Sequence, residues 1–517
     1  MILRSFLREK LTMLLKEIWN IETSIPILYP DQPKFGDYST SVAMSLAKTL
    51  RQKPLDIAST LAEKWEWTDI CRLEVVAPGY LNFFVNESLL DTLIQGKCLE
   101  DQYGSSDLLE GKKILLEYVS ANPTGPLHIG HGRWAALGDS LARLLRYAGA
   151  QVWREFYVND AGNQIRLLRE TIQAVREGKE IPENGYHGAY ITDVAKQTED
   201  PVTYILNWQK ETLKNFGVEF DRYFSEKSLH DSGMVQKTLD FLKSAGVAYE
   251  SEGALWLRTT DHGDDKDRVL VKSDGEYTYF AVDIAYHQDK IKRGFRHLYN
   301  ILGADHHGYV KRMEAAVWLL SQADGVETDF RIIIGQLVSL YRNGEPVRMS
   351  KRTGDMITLE EVLEEIGRDA LRYYMVMRKA DTHLEFDIEE AKKQSEENPV
   401  FYVQYAHARI CGILRNLPSN LPVPQGTIVD SPEARLLATR LLRFPEIVQD
   451  AATALEPHRI PQYLEDVASV FHKYYTVHRI ITDDLQTTAN RATLVKATKN
   501  VLALGLRLIG VSAPERM

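Results

Sequence analysis

Cysteine is scarce. The 517 residues hold three, Cys71, Cys98 and Cys411, scattered and odd in number. That excludes a disulfide framework and any paired-cysteine metal knuckle, and leaves buried reduced thiols in a cytoplasmic protein as the plain reading. No apolar run approaches the roughly 20 residues that span a bilayer, so no membrane partner is expected. The opening stretch, MILRSFLREKLTMLLKEIWN, interleaves charges with apolar residues at helical spacing. It lacks the unbroken apolar stretch and small-residue cleavage site of a secretion signal. A basic surplus is missing too. Net charge is −10, which argues mildly against a polynucleotide partner, although one local basic face is enough to bind phosphates. Internal repeats and low-complexity segments are absent. What remains, 44% hydrophobic and 26% charged residues, is the mix of an ordinary soluble globular protein with about three domains.

Residues 1–110 read as a small α+β unit. Helical patterns lie at 3–19 and 39–50, and CRLEVVAPGYLNFFVN at 71–86 alternates as two strands around a Pro78-Gly79 turn. A polar linker, EDQYGSSDLLE, closes the unit. Over residues 111–393 the rhythm changes to strand, loop and helix. KILLEYV predicts a buried strand and VWREFYV at 152–158 another. This alternation implies an α/β, Rossmann-like, doubly wound parallel sheet. An insertion is placed around 166–260, with its most polar part at 176–200. Strands are expected near 268–273, 276–281, 297–302 and 329–338, and helices over 283–293 and 309–323. Residues 394–517 are helical in pattern: Leu464, Val467, Val470, Phe471, Tyr474, Val477 and Ile480 fall at helical spacings, predicting an all-α bundle.

Two loops carry chemistry. EYVSANPTGPLHIGHGR runs from a strand end to a helix start, where open α/β sheets bind ligands and helix N-termini attract phosphates. Gly130 lets a ring or phosphate approach the backbone. His128 and His131, three apart, share a helical face and can donate hydrogen bonds to a phosphoryl group as it becomes five-coordinate. The plainer reading is that they cap the helix. The second loop, YRNGEPVRMSKRTGD at 341–355, offers Lys351 as a point charge for α-phosphate, with Met349 and Ser350 beside it. A basic loop alone is usually just a solvated face. A third segment, LGADHHGYVKRM, also precedes a helix; its DHH is either a metal site or part of a nucleotide site.

Together these motifs resemble class I aminoacyl-tRNA synthetases: HIGH is present letter for letter, and RMSKR matches the lysine loop with Arg348 and Arg352 replacing two family positions. The resemblance sharpens to the arginyl-tRNA synthetase family through PKFGDYSTSVAMSLAK, APGYLNFF, YVNDAGNQI, GDDKDRVLVKSDGEYTYFAVDIAYHQDK and FYVQYAHARI. It implies two-step charging of arginine tRNA with L-arginine and ATP, with bound tRNA needed for activation. Catalysis would fall to His128, His131 and Lys351. ATP would meet Pro126, Gly130, Gly303, Asp305, His306, His307, Met349 and Ser350, with Mg2+ carried by ATP and no structural metal on the protein. Arginine would be held by Glu117, Ser120, Asn122, Glu226, Tyr279 and Asp283; its planar, always charged five-donor fork suits carboxylates. The helical end would bind the anticodon through Tyr402, Tyr405, Arg409, Tyr475 and Met517, with Tyr474 a further candidate. The N-terminal unit would contact the tRNA elbow, and the working form would be a monomer. The alternatives are another class I nucleotidyl-transferring enzyme, which would lack Glu226 and Asp283, and a catalytically dead RNA-binding relative, which would have lost His128, His131 or Lys351.

Overall fold

A computed structural model describes residues 2–347 and 357–517. The first helix, Leu3–Trp19, forms where Leu3, Leu7, Leu11, Leu14 and Leu15 make one buried stripe, and ends at Asn20 in the left-handed conformation. The alternating stretch folds as Cys71–Val76 and Tyr80–Val85, an antiparallel pair joined on its other side by Tyr38–Thr40.

The central sheet has five parallel strands in the order Asp329–Gly335, His297–Gly303, Lys113–Glu117, Gln151–Val158, Arg222–Ser225. Ile114, Leu115 and Leu116 have no exposed surface, as a strand covered on both faces requires. From Lys113–Glu117 the chain lays strands on one side of the sheet and later returns to the other. The order therefore reverses between Lys113–Glu117 and His297–Gly303, and the crevice beyond their carboxyl ends is the natural ligand site of such a sheet.

Three expectations need correction. Residues 276–281 do not form a strand; the helix Tyr279–Lys292 starts there, because Thr278 caps it by accepting the Ala281 N–H at 3.3 Å. The strand Arg268–Val271 joins Ala248–Ser251 and Ala254–Leu257 in a separate antiparallel sheet. The span around 166–260 is also not one insertion. Gly162–Arg176, Ala189–Ala195 and Pro201–Asn215 form a helical layer with its own small core, but Arg222–Ser225 is the edge strand of the parallel sheet.

The C-terminal part is built of Pro399–Arg415, Pro432–Leu442, Phe444–Ala454, Arg459–Val477 and Leu485–Leu508. Of the stripe over 464–480, Val477 alone is exposed, at the end of its helix. Arg372 and Asp139, both buried, pair at 2.6 Å where the sheet layer meets this bundle, and Arg372 also donates to the Ile509 carbonyl.

Candidate active site

His128 is the N-cap of the helix Ile129–Tyr147 and His131 its third residue. His128 Nδ1 accepts the Gly130 N–H at 3.1 Å, and His131 Nδ1 accepts the His128 N–H at 3.2 Å. The capping reading is thus right for both Nδ1 atoms, and it has a chemical consequence. A nitrogen that accepts an N–H carries no proton, so in each ring Nε2 is the N–H. The two rings stack with centroids 3.7 Å apart. A Cβ at Gly130 would lie 3.0 Å from the His128 ring, which explains the glycine. His128 also bridges to Thr358, and Leu359 N–H donates to the Leu127 carbonyl at 2.8 Å. Lys351, Met349, Ser350, Arg348 and Arg352 lie outside the described residues. The chain re-enters the described part at the histidine loop.

Of the residues expected to border ATP, Gly303 faces Gly335 at the ends of their paired strands. A Cβ on either would fall within 2.8 Å of the Trp134 ring, so glycine at both positions lets that ring lie across the strand ends. Asp305 and His306 are exposed in the short helix Ala304–Tyr309; the His307 side chain is outside the described part. Among the described residues no group of three or more His, Cys, Asp or Glu could hold a metal. Pro126 lies half-buried in the loop just before His128.

The acidic side is more elaborate than the sequence implies. Glu117 ends its strand nearly buried, with one oxygen 2.6 Å from Lys290 Nζ and the other accepting from Ser120 Oγ at 3.1 Å. Tyr157 N–H donates to that Ser120 oxygen at 3.1 Å, and the Tyr157 hydroxyl donates to Glu226 Oε2 at 2.7 Å. Glu226 is held at the start of the helix Glu226–Asp231; burial pushes its pKa up, against the opposing Tyr157 hydrogen bond. Asp283 receives the Tyr309 hydroxyl. Its pKa is pushed up to about 7, chiefly by burial and further by the negative charge of Glu117 and Glu226, although Tyr309 and Lys290 favour its ionised form.

The fold therefore gathers Glu117, Ser120, Glu226 and Asp283 around one space. Asn122 stands at its rim, exposed, its amide donating to Gln164 at 2.8 Å. Tyr279 is one turn from Asp283 on the same helix but 76% exposed, and it touches none of the acids. Tyr157, Lys290, Asn300, His287 and Tyr309 escaped the sequence reading. Tyr157, His287 and Lys290 do lie within stretches that carry the family resemblance.

In the bundle, Arg409 donates to the Tyr405 hydroxyl at 2.8 Å and lies over the Tyr405 and Tyr475 rings, 4.5 and 5.3 Å from their centroids. His472, also missed, sits 3.1 Å from Arg409 and 4.9 Å from the Tyr402 ring. Tyr475 and Met517 are exposed, Met517 in a cleft with Phe401 and Gln404. Tyr474 is fully buried and so belongs to the core, where it cannot stack on a base.

Comparison with known proteins matches three families along the chain. Residues 3–85 match the family described as arginyl tRNA synthetase N terminal domain, residues 93–200 and 189–409 the catalytic domain of class I (R) tRNA synthetases, and residues 403–517 the DALR anticodon binding domain. The arginine–tRNA ligase of Desulforamulus reducens is 44% identical, covering 94% of this chain and 93% of its own. That of Shouchella clausii is 44% identical over 96% and 95%. The arginyl-tRNA synthetase of Thermus thermophilus shares the fold, with a TM-score of 0.83 over 100% of both chains at 24% identity. With its catalytic core and both flanking domains matched, the chain belongs to the arginyl-tRNA synthetase family.

Proposed function

We propose that the chain is an arginine–tRNA ligase that activates L-arginine with ATP and passes it to the 3′ end of arginine tRNA. The observation that carries this reading is the meeting of Glu117, Glu226 and Asp283 beyond the strand ends, beside two histidine donors. Burial aside, Glu117 and Glu226 lie close enough to Asp283 for their negative charge to raise its pKa, and a bound cation relieves that repulsion. A guanidinium, charged at any working pH, suits this pocket.

In the first step an oxygen of the arginine carboxylate attacks the α-phosphorus of ATP. The bond to the bridging oxygen breaks and pyrophosphate leaves. His128 and His131 donate hydrogen bonds from Nε2–H to the crowded phosphoryl oxygens, and Lys351 neutralises charge as it builds. Glu117 receives the α-amino group, with Ser120 and Asn122 beside it; Glu226 and Asp283 take the guanidinium, and Tyr279, one turn before Asp283, is assigned to the same end by the family pattern. Pro126, Gly130, Gly303, Asp305, His306, His307, Met349 and Ser350 border the nucleotide. Mg2+ would be held by the ATP phosphates, whose charge it would screen, and no residue of the chain is assigned to it. In the second step the terminal ribose hydroxyl attacks the arginyl carbonyl and AMP leaves.

We assign residues 1–110 to the tRNA elbow, 111–393 to catalysis and 394–517 to the anticodon. Tyr402, Tyr405, Arg409, Tyr475 and Met517 would meet the anticodon bases, supported by the aromatic and guanidinium planes clustered on that face. Every residue invoked comes from one chain, so a monomer suffices. No helix of the described residues is long and apolar enough to cross a membrane, and the cytoplasm, where charged tRNA is used, is the proposed place of action.

Pyrophosphate exchange tests this reading. Exchange should require arginine and should rise sharply when arginine tRNA is added. Exchange driven by another amino acid would defeat the substrate assignment, and full exchange without tRNA would defeat the tRNA requirement. Tyr405→Ala should raise the KM for tRNA while leaving that for arginine unchanged.

A further inference from the structure

Beneath the pocket runs a chain of hydrogen bonds whose direction is fixed at every link. Lys290 has no exposed surface. Its Nζ lies 2.6 Å from Glu117 Oε2 and 3.2 Å from Asn300 Oδ1. Lysine can only donate, so Asn300 Oδ1 accepts and its Nδ2 donates onward. That Nδ2 is 3.0 Å from His287 Nε2, which must accept. His287 Nδ1 therefore carries the proton and donates to the Asp283 carbonyl at 2.7 Å. Burial and the nearby Lys290 push the His287 pKa well below its usual value, which suits this neutral form.

The chain thus runs from the main chain at Asp283 to the side chain of Glu117. In the reading above these are the guanidinium end and the α-amino end of the arginine site. Asn300 and Glu117 are partners on adjacent parallel strands, and His287 and Lys290 lie on the helix Tyr279–Lys292 that also carries Asp283. The sheet and the helix therefore set the spacing between the two ends together.

Glu117 is only 6% exposed, so water cannot replace a lost partner. A buried carboxylate deprived of its cation protonates or turns away. We propose that Lys290, set in place by Asn300 and His287, is a positioning residue that keeps Glu117 aimed at the α-amino group of arginine. The inference rests on the assignment of Glu117 to that group.

The test uses the full-length enzyme with tRNA and compares arginine with 5-guanidinopentanoic acid, which is arginine without its α-amino group. The KM for arginine and for ATP comes from pyrophosphate exchange, and the inhibition constant of the analogue from its competition with arginine. Lys290→Met should raise the KM for arginine on the order of 10-fold to 100-fold. It should leave the analogue and ATP nearly unchanged, erasing the preference for the amino group. Asn300→Ala should do the same more weakly, and it decides the question if Lys290→Met does not melt cooperatively. Equal weakening of arginine and the analogue would mean a structural role only and overturn the proposal. So would an unchanged preference. Glu117→Gln separates the two layers. If it leaves the preference intact, the assignment of Glu117 fails and the inference falls with it. If it erases the preference while Lys290→Met and Asn300→Ala preserve it, the positioning role alone fails.

Discussion

Asp283 carries a proton over much of the acid range because the fold surrounds it with burial and two other acids. Its pKa of about 7 lies above the 3.8 of a free aspartate, so the folded state binds the proton more tightly than the unfolded state. The stability this contributes is complete below about pH 4 and is lost as pH rises through about 7. An arginine guanidinium prefers the ionised form, so binding should expel a proton and tighten with pH. Affinity for arginine should gain up to about tenfold per pH unit between roughly pH 5 and 7, then level off. Calorimetric titration in buffers of different ionisation enthalpy counts that proton, and a pH-independent affinity would remove Asp283 from the site. Asp283→Asn should lower kcat/KM for arginine by about 10²- to 10⁴-fold, with tRNA retention on filters unchanged. Intact activity in that variant would contradict the assignment. At this scale the sequence named the acids through their family pattern. It did not name Tyr157 or Lys290, whose partners lie far along the chain; Lys290 and Glu117 are 173 positions apart.

Among the elements, the start of the helix Ile129–Tyr147 shows structure and chemistry sharing atoms. The two histidines cap the helix with one nitrogen and thereby commit the other to donate. Gly130→Ala separates these roles. Alanine in the first turn should leave the melting temperature unchanged or raise it, since glycine costs about 1 kcal/mol in a helix. The added Cβ would press on the His128 ring at 3.0 Å and tilt its donor. Pyrophosphate exchange should fall by about tenfold or more, and full exchange would show that the ring's aim is not needed. The start of this helix and the periodicity of the C-terminal stretch 464–480 were plain in the sequence. Of the helix Tyr279–Lys292 the sequence showed the body, over 283–293, but not the first turn, because the aromatics Tyr277, Tyr279 and Phe280 imitate a strand there and only the Thr278 cap shows where the helix begins.

Across the whole molecule, Glu446 ties the two ends of the chain together. It has no exposed surface, and it accepts from the Arg4 N–H at 2.7 Å, the Tyr29 hydroxyl at 2.5 Å and the Tyr38 hydroxyl at 3.2 Å. Asp450 pairs with Arg4 beside it at 2.5 Å. Glu446→Ala would strand these donors, and denaturant unfolding should show a loss of about 2–4 kcal/mol. Exchange measured well below the melting temperature should change little, because the reacting groups are elsewhere. A variant as stable as the parent would mean that the ends are held by apolar contact alone.

By itself the sequence determined whatever is local: the buried strand before the histidine loop, the loop and helix start that carry HIGH, and the helical stripes of the C-terminal part. Local backbone preference and side-chain period leave a trace within a few residues, and such a trace can be read directly. Only the tertiary structure decided that Arg222–Ser225 completes the parallel sheet, that Tyr474 faces the core, and that Lys290 lies beneath Glu117. Those outcomes depend on which distant segments pack together. Burial then decides whether a carboxylate such as Asp283 is charged, and no pattern within a few residues records that.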